Sequence, residues 1–155
     1  MELDTEGTGL MSTHSPARFG MRRAPARVET GMSTVNLTAD TFEQAVTGND
    51  IVLVDWWAEW CGPCKMFGPV YEKSSEQHAD VVFGKVDTED QQALASGAGI
   101  SSIPTIMAFK EGVLVFRQAG ALPSRDLESV IAQIKALDMD DVRAKMAEQQ
   151  AGQKA

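Results

Sequence analysis

The sequence predicts an α/β fold, a central mixed β-sheet flanked by helices. Three observations predict it. Strand-like and helix-like segments alternate from Thr34 to Gly97. A hairpin pattern and then a closing helical pattern follow from Ile106 to Leu137. Within the first part, Ile51-Val52-Leu53-Val54 is a continuous apolar run, the signature of a strand buried on both faces. Together they describe a sandwich of helices around a sheet with parallel and antiparallel pairs.

Residues 1–33 stand apart. They are rich in Gly, Ser, Thr, Pro and Arg and show no hydrophobic period. Arg18, Arg22, Arg23 and Arg27 balance Glu2, Asp4, Glu6 and Glu29. The pair Arg22-Arg23 is not followed by an apolar segment, as an export signal would be, and a transit peptide would be poor in acids. This composition predicts a disordered N-terminal extension. Met32 falls where the regular pattern begins, which makes it a candidate start of translation.

The elements then follow in order. Thr34 to Leu37 reads as a short edge strand. Thr38 or Asp40 is placed to cap a helix that carries Phe42, Ala45 and Val46 on one face. Gly48-Asn49-Asp50 is a turn, and Ile51 to Ala58 is the central strand. A helix after Cys61 runs towards His78 with Met66, Phe67, Val70 and Tyr71 as its apolar side, and Pro69 inside it predicts a kink. Val81 to Asp87 is the next buried strand. Asp87 or Thr88 is placed to cap a short helix through Gln91, Leu94 and Ala95 that ends at Gly97. Ile106 to Phe109 and Val113 to Phe116 form a hairpin around Lys110-Glu111-Gly112. Ser124 opens the closing helix, with Leu127, Val130, Ile131, Ile134 and Leu137 at helical spacing. Met139, Val142 and Met146 make one apolar stripe of a further short helix, expected to pack on the domain or to fray.

Both cysteines of the chain, Cys61 and Cys64, sit two residues apart directly after the central strand. In that position a C-x-x-C is most simply a redox pair. A helix N-terminus offers unpaired N–H groups and a positive dipole end, which favour a thiolate on the first cysteine. Cys61 is therefore the expected nucleophile, exposed to a substrate disulfide. Cys64 is the expected resolving thiol, the more buried of the two. Pro63 suits the first turn of a helix, where its missing N–H has no intrahelical role. Zinc would need more ligands, and the two histidines, His14 and His78, lie elsewhere; no metal site is expected. Asp55 is a carboxylate inside the apolar run, and burial there implies a raised pKa.

These residues resemble the thioredoxin family. The resemblance is carried by Asp55, the run Trp57-Ala58-Glu59-Trp60-Cys61-Gly62-Pro63-Cys64-Lys65, Pro69, Lys85, Ile103-Pro104, Gly112 and Gly120. It covers residues 34–137 and leaves 138–155 as a C-terminal helical extension or tail. It implies a thioredoxin fold and a protein-disulfide reductase that works through a reversible Cys61–Cys64 dithiol. It implies that Asp55 assists proton transfer at Cys64, with Lys85 tuning its charge. It also implies a cis bond before Pro104 and a substrate surface made by Trp60, Gly62, Pro63, Ile103, Pro104, Gly120 and Ala121. The electron donor so implied is thioredoxin reductase, an NADPH-dependent flavoprotein, and the clients are disulfide-containing proteins. Trp56 stands where the family commonly has phenylalanine, and Ser101-Ser102 where a basic residue is frequent.

Composition sets limits. A net charge of −8 argues against nucleic acid as the main partner, because phosphate binding needs a basic face. No apolar run approaches a membrane span. The absence of a Gly-rich dinucleotide fingerprint implies no bound cofactor. A cytoplasmic monomer is the expectation, since a reducing compartment suits the pair. Two other readings carry the same residues: an oxidase or isomerase, disfavoured by Gly62-Pro63 where oxidising relatives usually carry histidine, and a binding subunit that uses the groove without turnover.

Overall fold

A computed structural model describes residues 34–153, so the expected N-terminal extension lies outside the described residues. The elements, in chain order, are β1 (Thr34–Asn36), α1 (Phe42–Thr47), β2 (Ile51–Trp57), α2 (Gly62–Gln77), β3 (Val82–Asp87), α3 (Gln92–Gly97), β4 (Thr105–Lys110), β5 (Val113–Ala119), α4 (Ser124–Lys135) and α5 (Met139–Gln153). Among the described residues one sheet forms, in the order β1-β3-β2-β4-β5. The pairs β1–β3 and β2–β3 are parallel, and β2–β4 and β4–β5 are antiparallel. The sheet is mixed, as the sequence predicts.

The central strand explains the layering. Side chains alternate across a strand, so Ile51 and Leu53 point one way and Val52, Val54 and Trp56 the other. Leu53 joins Phe67, Tyr71, Phe83, Ile106, Leu127 and Ile131 beneath α2 and α4. Val52, Val54 and Trp56 join Val86, Met107, Ala95 and Leu37 on the opposite face, with Phe42 and Leu94 packed against them. Trp56 is wholly buried, its ring 5.7 Å from that of Phe42, and its indole N–H has no partner among the described residues. The strand is apolar throughout because both faces are covered. Asp55 is the exception, and it lies on the α2 side.

Local chemistry departs from expectation in three places. Neither Thr38 nor Asp40 caps α1; the cap position is Thr41, whose hydroxyl instead accepts from the Thr38 N–H at 3.0 Å. Neither Asp87 nor Thr88 caps α3, whose cap position is Gln91. Asp87 Oδ1 accepts from the N–H groups of Glu89 and Asp90 in the preceding turn, and the Thr88 hydroxyl donates to Trp57 O. Met66 is not on the apolar side of α2, since 77% of it is exposed. The hairpin is tight: Glu111 and Gly112 have φ of 53° and 81°, the paired left-handed conformations that a two-residue turn requires.

The two C-terminal helices are fastened by charge. Lys110 is buried, and its Nζ donates to Ile134 O, Lys135 O and Leu137 O at 2.9, 3.0 and 3.0 Å. One cation thus gathers three carbonyls at and just past the end of α4, and it faces the negative end of the helix dipole. Among the described residues only Ile134 O of the three has a backbone donor as well, the Leu137 N–H at 3.1 Å. Lys110→Met is expected to cost about 2–3 kcal/mol, because charge-assisted bonds are lost and carbonyls are left unpaired. Urea unfolding with an unchanged m-value reads it; an unshifted midpoint would show that water replaces the ammonium at no cost. Beyond α4, Met139 is buried, Val142 half-buried and Met146 39% exposed, and Arg143 pairs with Glu111. The first turns of α5 dock and the rest stands in solvent.

Candidate active site

The site begins where β2 ends. Ala58 O accepts from the Cys61 N–H at 3.2 Å, so the chain turns sharply after the strand, and Cys61 O starts the ladder of α2 by accepting from the Lys65 N–H at 3.2 Å. Cys61 is the N-cap of that helix, in extended conformation, with Pro63 in the first turn. Its Sγ accepts from the Cys64 N–H at 3.2 Å. A sulfur in this position receives both a backbone donor and the positive end of the helix. The two cysteines are joined in a disulfide, with Cα atoms 5.2 Å apart. They pack with Ala58 against Trp57 and Ile103.

The expected difference in burial between the two is not found: Cys61 is 3% exposed and Cys64 4%. What differs is direction. Cys61 borders an open cleft of about 360 Å³ and Cys64 does not. Trp60, Gly62 and Pro63 line the cleft from the start of α2, Thr88 from the end of β3, and Ala95 from α3. Ile100, Ser101, Ser102 and Ile103 form the wall contributed by the loop before β4. Of the expected surface residues, Trp60, Gly62, Pro63 and Ile103 therefore meet at the cleft. Pro104 follows a cis peptide bond and is buried next to Ile103. Gly120 and Ala121 are exposed and do not line the cleft; Gly120 instead donates its N–H to Pro104 O at 2.7 Å. Thr88, Ala95 and Ile100 were not legible as lining residues. Nor was Glu89, whose Oε2 accepts from Trp60 Nε1 at 3.2 Å and steadies an indole that is 68% exposed.

Asp55 sits in β2 with 1% of its surface exposed, and its Oδ1 has no hydrogen-bond partner among the described residues. Burial raises its pKa to about 7, and the Lys85 charge pulls it partly back. Lys85 is the residue opposite it on β3. Half-buried, it holds its Nζ 4.9 Å from the ring centroid of Trp57, a cation–π contact. The arrangement supplies a buried acid–base group on the α2 side of β2 and a dithiol at the start of that helix. Among the described residues no group of three or more His, Cys, Asp or Glu could hold a metal ion, and no helix is long and apolar enough to cross a membrane.

Comparison with known proteins decides the family. The family model "Thioredoxin" matches residues 33–133. The chain belongs to the thioredoxin family. It is 62% identical over 119 residues to a Streptomyces coelicolor protein named "Putative thioredoxin 2", covering 77% of this chain and 89% of that one. It is 43% identical to a thioredoxin of Alicyclobacillus acidocaldarius, covering 66% of this chain and 98% of the relative. Among solved structures, a mutant thioredoxin from Halobacterium salinarum superposes with a TM-score of 0.64 at 33% identity, covering 71% of this chain and 99% of that one. The chain is accordingly a thiol-disulfide oxidoreductase with a redox-active cysteine pair on a thioredoxin fold.

Proposed function

We propose that this thioredoxin reduces protein disulfides in the cytoplasm as a monomer, with Cys61 as the attacking thiolate and Cys64 as the resolving thiol. The observation that carries the assignment is that Cys61, alone of the two, borders the cleft. In the reduced protein the Cys61 thiolate attacks one sulfur of a client disulfide, forming a Cys61–client bond and releasing the other client sulfur as a thiolate. The Cys64 thiol passes its proton to the Asp55 carboxylate and attacks Cys61 Sγ. The Cys61–Cys64 bond forms, and the second client thiolate leaves. Two electrons pass to the client and both cysteines end oxidised. Lys85 holds the Asp55 charge in check by its place across β2–β3. Trp60, Gly62, Pro63 and Ile103 receive the client chain, with Pro104 offering backbone at the cleft's edge and Gly120 and Ala121 flanking it. The disulfide is returned to the dithiol by thioredoxin reductase, an NADPH-dependent flavoprotein that docks at the same cleft.

The reduction potential tests this reading. Equilibration against a defined thiol buffer, followed by the fluorescence of Trp57 and Trp60, is expected to give about −270 mV, the value usual for thioredoxins. A potential above about −200 mV would make the pair an oxidant or isomerase centre and overturn the proposed direction of electron flow.

A further inference from the structure

The cleft has one wall that is only loop. After α3 the chain turns out at Gly99, with φ of 71°, and residues 100–103 run along the cleft before β4 begins. A four-residue wall without regular structure needs outside support to keep one shape. Three hydrogen bonds from the next hairpin strand and its end supply part of it, beside those of the Ile100 N–H to Ala95 O at 3.0 Å and the Thr105 hydroxyl to Ser102 O at 2.7 Å. Arg117 of β5 donates Nη1 to Ala98 O at 2.9 Å and Nη2 to Gly99 O at 2.6 Å, at the point where the loop leaves α3. Three residues further on, the Gly120 N–H donates to Pro104 O, where the loop rejoins the sheet. The guanidinium fork matches two consecutive carbonyls, and those carbonyls lie at the cap of α3 and just past it.

We infer that Arg117 is a positioning residue for client docking: it holds the Ile100–Ile103 wall in the shape that a protein client meets. This rests on the proposal that clients dock in the dithiol cleft. Arg117 itself is exposed and touches neither cysteine nor cleft, so its bonds act locally on the loop and add little to the core. Without them the wall samples several shapes, and a client must order it on binding. A small disulfide, which needs only the sulfur of Cys61, is indifferent to the wall.

The test compares Arg117→Met, Arg117→Lys and the cleft-filling Ser102→Trp in turnover of two disulfides, insulin and hydroxyethyl disulfide, with dithiothreitol as reductant. For Arg117→Met the KM for insulin is expected to rise about three- to ten-fold, the cost of ordering a few side chains at an interface. Its kcat for insulin and its rate with hydroxyethyl disulfide stay at the wild-type level. Amide exchange speeds up at residues 100–103 and stays at the wild-type rate in the sheet. Arg117→Lys, which keeps the charge and can reach one carbonyl, recovers part of the KM. A wild-type insulin KM in Arg117→Met, beside a raised KM in Ser102→Trp, would overturn the inference while leaving the docking site in place. Parallel loss of both activities with faster exchange throughout would also overturn it, since the residue would then be merely structural. A wild-type insulin KM in Ser102→Trp would remove the docking site, and the inference with it.

Discussion

Cys61→Ser is expected to bring disulfide reduction down to the uncatalysed rate, while Cys64→Ser is expected to stop after one step and hold its client covalently. The two cysteines are alike in burial, and only their positions separate them. Cys61 Sγ sits at the helix N-terminus, accepts the Cys64 N–H and borders the cleft. A serine hydroxyl there can neither ionise near neutral pH nor form a disulfide, so no route to turnover remains. With Cys61 intact and Cys64 replaced, the first attack proceeds and nothing displaces the client from the mixed disulfide. Electrophoresis without reductant should show a band at the summed mass, dissolved by dithiothreitol. Both variants should keep the fold, because the lost disulfide closes a loop only three residues in separation while the core lies elsewhere. The reverse pattern, with trapping by Cys61→Ser and none by Cys64→Ser, would exchange the two roles.

Much of this site could be read from the chain because the chemistry conflicts with its surroundings. A carboxylate amid Val52, Val54 and Trp56 is conspicuous wherever it falls, and two cysteines after a buried strand have few other uses. The strands could be read for a related reason: Ile51–Val54 is apolar on both faces because both faces are covered. Helix faces were harder. The buried arc of α2 runs through Cys64, Phe67, Tyr71, Ser74 and Ser75; at about 100° per residue Met66 falls well outside it. Composition favoured the methionine and passed over the two serines, yet Ser74 is buried because its hydroxyl finds Glu128 of α4, which His78 also contacts. The missed caps have a similar cause. Thr38, Asp87 and Thr88 all had the right chemistry, but the Thr38 hydroxyl meets that of Thr41, Asp87 accepts from the turn that follows it, and the Thr88 hydroxyl reaches across to Trp57 O. Lys110 and Arg117 were illegible for a different reason. Their partners are backbone carbonyls, which leave no trace in the sequence, and they lie at least 18 residues away along the chain.

The second large effect is expected at Asp55, where one substitution moves stability and rate in opposite directions. In the unfolded chain its pKa is 3.8, and in the fold burial lifts it to about 7. Below pH 3.8 the group is protonated in both states and the fold suffers no penalty. Between the two values folding takes up a proton, so stability falls as pH rises. Above about pH 7 the loss is complete and amounts to about 4 kcal/mol. Asp55→Asn removes the charge at nearly constant shape. Its advantage over the native protein should be near zero at pH 4 and reach about 2–4 kcal/mol at pH 8, the lower figure allowing for amide hydrogens that find no partner. Urea titrations of the two oxidised proteins across that range measure the difference curve. A flat curve would mean that Asp55 is ionised in the fold at low pH, held so by Lys85. Client reduction should meanwhile slow by about tenfold or more at neutral pH, because Cys64 loses its proton acceptor. Unchanged turnover would take Asp55 out of the mechanism and leave its burial without a function. A gain in stability beside a loss in rate is what a retained buried charge implies: the fold is weaker at neutral pH for holding a group that titrates where the chemistry runs.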